Sequence, residues 1–253
     1  MTNAEVEKTV YAIETRGLSK RFGDCAAVKS LDLRVGEGTV YGLLGVNGAG
    51  KTTTIKMLTG LIRPTSGDAL LAGHSILTEN EAVRRVTGVS PQETALAMHL
   101  TVRENLELMA GLYGKSRTEA KAATAAMLER MSLLAFAEKQ AKQLSGGWQR
   151  RLSIAMALIA EPAILFLDEP TLGLDVLARR ELWQVIRALR GKTTVVLTTH
   201  YLEEAEALSD RIGIMAGGVL RAEGTVDELL AIAEKENFED AFVAIADGEV
   251  KNV

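Results

Sequence analysis

The sequence predicts an α/β fold built on a largely parallel sheet. Short β-like runs alternate with helical patterns along most of the chain, and such alternation joins parallel strands through helical crossovers. Two runs, Ile164 to Leu167 and Val195 to Leu197, are continuously apolar rather than alternating, as strands covered on both faces are, so they belong at the centre of the sheet. Between Gln92 and Ala160 helix follows helix with no strand pattern, which marks 93–159 as a helical insertion.

Taken in order, Tyr11 to Leu18, Ser30 to Val35 and Val40 to Leu44 read as strands, and a helix through Leu58 follows the third. Asp68 to Leu71 and Val86 to Val89 continue the strands. Inside the insertion, Thr101 with Glu104 and Ser116 with Glu119 form capping boxes, each pairing an N-cap hydroxyl with a carboxylate three residues on. Leu144-Ser145-Gly146-Gly147 opens a helix through Ala160 with Trp148, Leu152, Ala155 and Ile159 as its apolar stripe. Ala163 to Leu167 is the next strand. Val176 to Arg190 is a helix with Leu182, Val185, Ile186 and Leu189 on its core face and Trp183 beside them, which leaves Arg179 and Arg180 on a solvated face. Thr193 to Thr198 and Arg211 to Met215 complete the strands, and a third capping box, Thr225 with Glu228, opens a late helix. The acidic, weakly patterned stretch 231–253 reads as a partly ordered tail.

With 253 residues, 47% hydrophobic and 25% charged, the composition is that of a soluble globular protein and excludes disordered, collagen-like and disulfide-rich classes. Cys25 is the single cysteine, so no internal disulfide forms, and it is expected as a small buried hydrophobe. The longest apolar stretches, 152–160 and 163–167, are far shorter than the ~20 residues that cross a bilayer. The amino terminus mixes acids and bases without an apolar core, unlike a secretory signal, and points to a cytoplasmic chain. A net charge of -4 argues against a nucleic-acid partner.

Gly45-Val46-Asn47-Gly48-Ala49-Gly50-Lys51-Thr52, followed by Thr53, matches G-x-x-x-x-G-K-[ST] between a strand and a helix. Glycines let backbone N–H groups turn inward around phosphate oxygens, and the helix N-terminus adds its dipole. Lys51 supplies a cation for the β and γ phosphates, and Thr52 a hydroxyl for Mg²⁺. Asp168 and Glu169 end the apolar strand 163–167, at the edge where ligands collect in open parallel sheets. Asp168 suits Mg²⁺ held through water, and Glu169 suits polarising a water for in-line attack. Ser145 and its glycines make a second helix start able to hold an anion. His74 and His99 lack partners at metal-ligand spacing and read as surface or turn residues; Arg150 and Arg151 read as solvated, with contact to a neighbouring subunit as the alternative.

From about Ile13 to Leu230 the sequence resembles the ATP-binding cassette family, the nucleotide-binding subunits of ABC transporters. The resemblance rests on six motifs in the family's order: GVNGAGKTT, VSPQ ending at Gln92, LSGG, ILFLDEP, LGLD ending at Asp175, and TTH ending at His200. Phe22 in KRFG matches the aromatic position that stacks on adenine. One departure is Trp148, where glutamine is common after the two glycines; packing in the core and packing at a dimer interface both remain open for it.

The resemblance implies a P-loop NTPase core of RecA-like type, 1–92 and 160–230, carrying an antiparallel β subdomain and the helical subdomain 93–159. It implies ATP hydrolysis with Mg²⁺ near Thr52, Gln92 and Asp168, and catalytic roles for Lys51, Gln92, Glu169 and His200. Two cassettes would pack head to tail, with Ser145, Gly146 and Gly147 of one closing over ATP on the other and Asp175 at their interface. Partners would be a second copy and a polytopic permease on another chain, at the cytoplasmic face of the inner membrane. LSGGWQRRLSIAMALI and the run from TTH onward resemble single-domain bacterial exporters of the drug-resistance and sodium-efflux type. The rival reading is a soluble cassette ATPase in cofactor assembly or in nucleic-acid or ribosome work.

Overall fold

The computed structural model describes residues 11–249. The sequence readings that fall on residues 1–10 and 250–253 lie outside the described residues. The chain opens with a hairpin of β1 (Tyr11–Phe22) and β2 (Cys25–Gly36), and β3 (Val40–Gly45) then starts a second sheet. After α1 (Lys51–Leu58), β4 (Ser66–Leu71) and β5 (His74–Ser75) join the hairpin to complete a four-stranded antiparallel sheet in the order β2, β1, β4, β5. Helix α2 (Asn80–Val86) leads to β6 (Thr87–Ser90). The region 93–159 holds α3 (Val102–Leu112), α4 (Arg117–Arg130) and α5 (Gly146–Leu158), as the helix-only pattern predicts. Both capping boxes there form, with the Thr101 and Ser116 hydroxyls accepting from the Glu104 and Glu119 amides.

The remaining chain alternates β7 (Ile164–Asp168), α6 (Val176–Arg187), β8 (Thr194–Thr199), α7 (Leu202–Leu208), β9 (Arg211–Ala216) and β10 (Val219–Gly224). The main sheet has the order β10, β9, β3, β8, β7, β6, parallel throughout except for the β9–β10 hairpin. The two continuously apolar strands sit inside it, as expected of strands covered on both faces. Leu165 and Leu167 of β7 pack with α5 and α6, while Ile164 and Phe166 pack with the α1 side and the antiparallel sheet.

Several expectations are corrected. The strand β5 and the helices α2 and α7 are too short for a periodic signal to stand out, and β10, as long as β9, pairs with it as an edge strand that the sequence reading passed over. Cys25 is exposed, because it sits at the tip of the β1–β2 hairpin, opposite Phe22. The tail boundary at 230/231 falls inside α8 (Val226–Ala233), and α9 (Phe238–Asp247) follows. Phe238, Ala241, Ala244 and Ile245 of α9 are buried in a cluster with Leu44, Ile212 and Ile214, so residues 238–247 belong to the folded body.

Candidate nucleotide site

The strand order β3, β8, β7 puts three strand ends side by side. β3 delivers the phosphate loop, β8 ends at Thr199 just before His200, and β7 ends at Asp168. This is the carboxyl edge where crossover loops leave room for a ligand. The loop backbone needs its glycines. Gly50 sits at φ 107°, and a Cβ there would lie 2.6 Å from the Ala27 carbonyl oxygen. Gly50 also caps α1, so the helix N-terminus opens toward the loop.

A cleft of about 420 Å³ follows the loop, with Phe22 at one end and Gln92, Glu169 and His200 among its walls. Lys51, although 6% exposed, aims its ammonium at the Gly45 carbonyl oxygen (2.6 Å) and stands 3.5 Å from Glu169 Oε1. The other Glu169 oxygen lies 2.8 Å from His200 Nδ1. Glu169 itself has φ 48°, a left-handed conformation costing a non-glycine residue about 1–3 kcal/mol, which the surroundings must hold. Its amide donates to both the carbonyl and hydroxyl oxygens of Thr198, which fix that turn. The Thr198 hydroxyl in turn donates to Asp168 Oδ1 at 2.5 Å, and Thr52 Oγ1 reaches the same oxygen at 3.1 Å. Thr198 was not legible as a site residue; its only signal is its place two residues before His200.

Only oxygen donors meet at Thr52 and Asp168. That pair fits Mg²⁺, a hard cation that takes few protein oxygens and completes its shell with water and phosphate.

Not every expected residue lies in this cleft. Ser145 caps α5 with an exposed side chain, and neither it nor Gly146 and Gly147 lines the cleft that holds Lys51. Asp175 caps α6, its Oδ1 accepting from the amides of Leu177 and Ala178 at 2.9 Å each. Beside it Leu172, Val176 and Leu177 are exposed. Trp148 packs on Phe136, ring centroids 4.4 Å apart, against the core of the helical region. The solvated reading of Arg150 and Arg151 is wrong: both are buried, Arg151 beneath Trp148 and paired with Glu181, Arg150 on the main chain of Pro91 and Gln92. Arg180 is exposed as expected, whereas Arg179 is half-buried against Tyr201. Trp183 donates to Glu204, a fully buried acid whose pKa is raised by burial above its ordinary value. His99 is exposed and His74 half-buried against Glu79, and among the described residues no three His, Cys, Asp or Glu side chains cluster so as to hold a metal ion.

Comparison with known proteins agrees with this geometry. The family model described as ABC transporter matches residues 28–172, more than half of the chain. The chain is 48% identical over 221 residues to the daunorubicin resistance ATP-binding protein DrrA3 of Streptomyces coeruleorubidus, covering 87% of this chain and 70% of that protein. It is 44% identical to the Nod factor export ATP-binding protein I of Burkholderia orbicola, covering 88% and 73%. Among solved structures, an ATP binding subunit of an ABC transporter superposes with a TM-score of 0.82 at 29% identity, over 92% of this chain and 99% of the other. A dimeric post-hydrolysis state of the ATP-binding cassette MJ0796 bound to ADP and Pi matches with a TM-score of 0.76 at 28% identity, over 84% and 98%. The match over most of the chain, in both sequence and fold, establishes that this protein belongs to the ABC transporter family, as an ATP-binding subunit.

Proposed function

We propose that two copies of this chain hydrolyse ATP between them and drive export through a separately encoded membrane permease. The observation that carries this reading is the separation of the two anion-binding helix starts. Lys51 and Glu169 stand together in one cleft, while the Ser145 turn faces outward with no nucleotide site of its own. A head-to-tail pair would close each Ser145 turn, with Gly146 and Gly147, over the nucleotide on the other copy. Asp175 and the exposed Leu172, Val176 and Leu177 would meet the partner. The similarity to MJ0796, a cassette whose post-hydrolysis state is dimeric, supports this arrangement.

The chemistry follows from the positions of the side chains. The adenine stacks on Phe22, half-exposed at the mouth of the cleft. The phosphates take the loop amides and the Lys51 ammonium, which exchanges its contacts with Gly45 and Glu169 for phosphate oxygens. Glu169 accepts a proton from the attacking water as the new bond to the γ-phosphorus forms and the bond to the bridging oxygen breaks. The departing charge on ADP is balanced by Lys51. His200 fixes the Glu169 carboxylate through the 2.8 Å contact and reaches the γ-phosphate side. Thr52, Asp168 and Gln92 would hold Mg²⁺, which when bound would supply further positive charge on the phosphates.

A groove of about 700 Å³ beside Pro91, between the core and helical region, is lined by Leu61, Leu112 and Tyr113 with Arg84 and Arg85 at its rim. Its exposed apolar side chains adjoin Gln92, which suits a permease contact that senses the nucleotide. We read 1–92 and 160–230, together with the rest of α8 and with α9, as the core and 93–159 as the helical subdomain, with the protein peripheral on the cytoplasmic face of the membrane. No described helix is long and apolar enough to cross one. Export is supported by the similarity to the Nod factor export ATP-binding protein I and fits the resistance for which DrrA3 is named. Detergent extraction should recover the chain with an integral-membrane protein; recovery with ribosomes or an iron–sulfur scaffold instead would favour a soluble cassette ATPase.

A further inference from the structure

Arg150 lies one turn beyond the Ser145 cap of α5, with a side chain only 5% exposed. Its guanidinium makes no ion pair among the described residues. Instead it donates to two consecutive main-chain carbonyls, Nη1 to Pro91 and Nη2 to Gln92, each at 2.6 Å. One turn further along α5, Ser153 Oγ lies 2.8 Å from Ser90 Oγ. Thus one face of α5 is tied at three points to the three residues that carry the chain from β6 to the cleft. Burial lowers the Arg150 pKa, and the charges of Asp168 and Glu204 oppose that effect. A buried guanidinium is expensive, and a rigid fork on successive carbonyls fixes the planes of two peptides, which a point charge does not.

We propose that Arg150 is a positioning residue for ATP hydrolysis, holding Gln92 at the cleft and tying its position to the orientation of the signature helix. The inference rests on the two-cassette reading above. When the Ser145 turn of one chain seats on its partner's nucleotide, α5 reorients as a rigid rod, and through Arg150 it sets Gln92 beside the chain's own nucleotide. Each site then hydrolyses fastest when both are filled.

The test is a double-mutant cycle in the full-length chain with R150A, Q92A and the pair. R150A should lower kcat by about 10- to 100-fold, the cost of misplacing a positioning group, while ATP affinity stays near wild type and the melting temperature falls because two carbonyls lose their donor. The double variant should be no slower than Q92A alone, because Arg150 acts through Gln92. Amide hydrogen exchange should quicken at Gln92 and Glu93 in R150A and not across α5. Wild-type turnover in R150A, or defects that multiply in the double variant, would overturn the proposal. If R150A does not fold, R150K goes through the same cycle: it keeps the charge without the fork, and full wild-type turnover there also overturns it. A wild-type chain without ATPase activity would instead sink the two-cassette reading, with the exchange measurement still reporting on the clamp.

Discussion

His200 Nδ1 and Glu169 Oε2 meet at 2.8 Å across the ends of two adjacent parallel strands. The contact fixes one carboxylate oxygen and leaves the other beside Lys51, 3.5 Å away. A carboxylate held this way accepts a proton in a set direction, and its left-handed backbone keeps it at the strand edge.

Glu169→Gln keeps the shape and loses the basicity. ATP binding should persist while turnover falls by about 10²- to 10⁴-fold, the usual contribution of a general base. Steady-state phosphate release measures the loss, and size-exclusion chromatography with ATP should show an accumulating dimer. Near-normal turnover would remove Glu169 from the role of base.

Lys51→Ala removes the ammonium that the described cleft wall holds against the phosphate loop. A hydrogen bond to a charged group contributes about 1.5–3 kcal/mol, so MgATP affinity should fall roughly 10- to 150-fold in a calorimetric titration. Unchanged affinity would contradict the phosphate-loop reading.

Phe22→Ala tests the base contact. Base–aromatic stacking is worth about 1–3 kcal/mol, so ATP should bind more weakly, while inorganic tripolyphosphate, which has no base, should bind as before. Equal weakening of both ligands would mean that Phe22 supports the loop and not the adenine.

Glu204→Gln should change how stability depends on pH. The Glu204 pKa is raised chiefly by burial and further by the charge of Glu169, against hydrogen bonds that lower it. The folded chain therefore holds a proton that the unfolded chain releases above about pH 4.5, and wild-type stability from this group declines as pH rises from there toward the folded pKa. Glutamine removes that dependence while still accepting from Trp183 Nε1. In urea melts the variant should gain on wild type as pH climbs above about 4.5 toward the raised folded pKa; a constant difference would show that Glu204 stays charged.

Elements with strong local signals were legible. The phosphate loop needs glycine at φ values that other residues resist, and the capping boxes close within four residues, so both appear in the sequence as written. The continuous apolar runs of β7 and β8 announced their central places because burial on both faces leaves no solvent-facing position to alternate with. The two-residue β5 and the seven-residue α2 and α7 gave no such signal, and α9 looked like a tail because only its cluster with Ile212 and Ile214 makes its apolar face a core face.

What the sequence determined by itself is the local chemistry: a phosphate cradle, an acidic strand end, a histidine after a strand and a second helix start able to hold an anion. Only the tertiary structure decided their company. Strand order brings Asp168 to Thr52 across 116 residues of chain, the packing of α5 against β6 turns Arg150 inward onto the Gln92 backbone, and the β1–β2 pairing leaves Cys25 at a hairpin tip in solvent. The physical reason is range. Backbone dihedrals and caps are settled within one turn, whereas which charged groups share a cleft depends on how distant strands pair to bury their apolar faces.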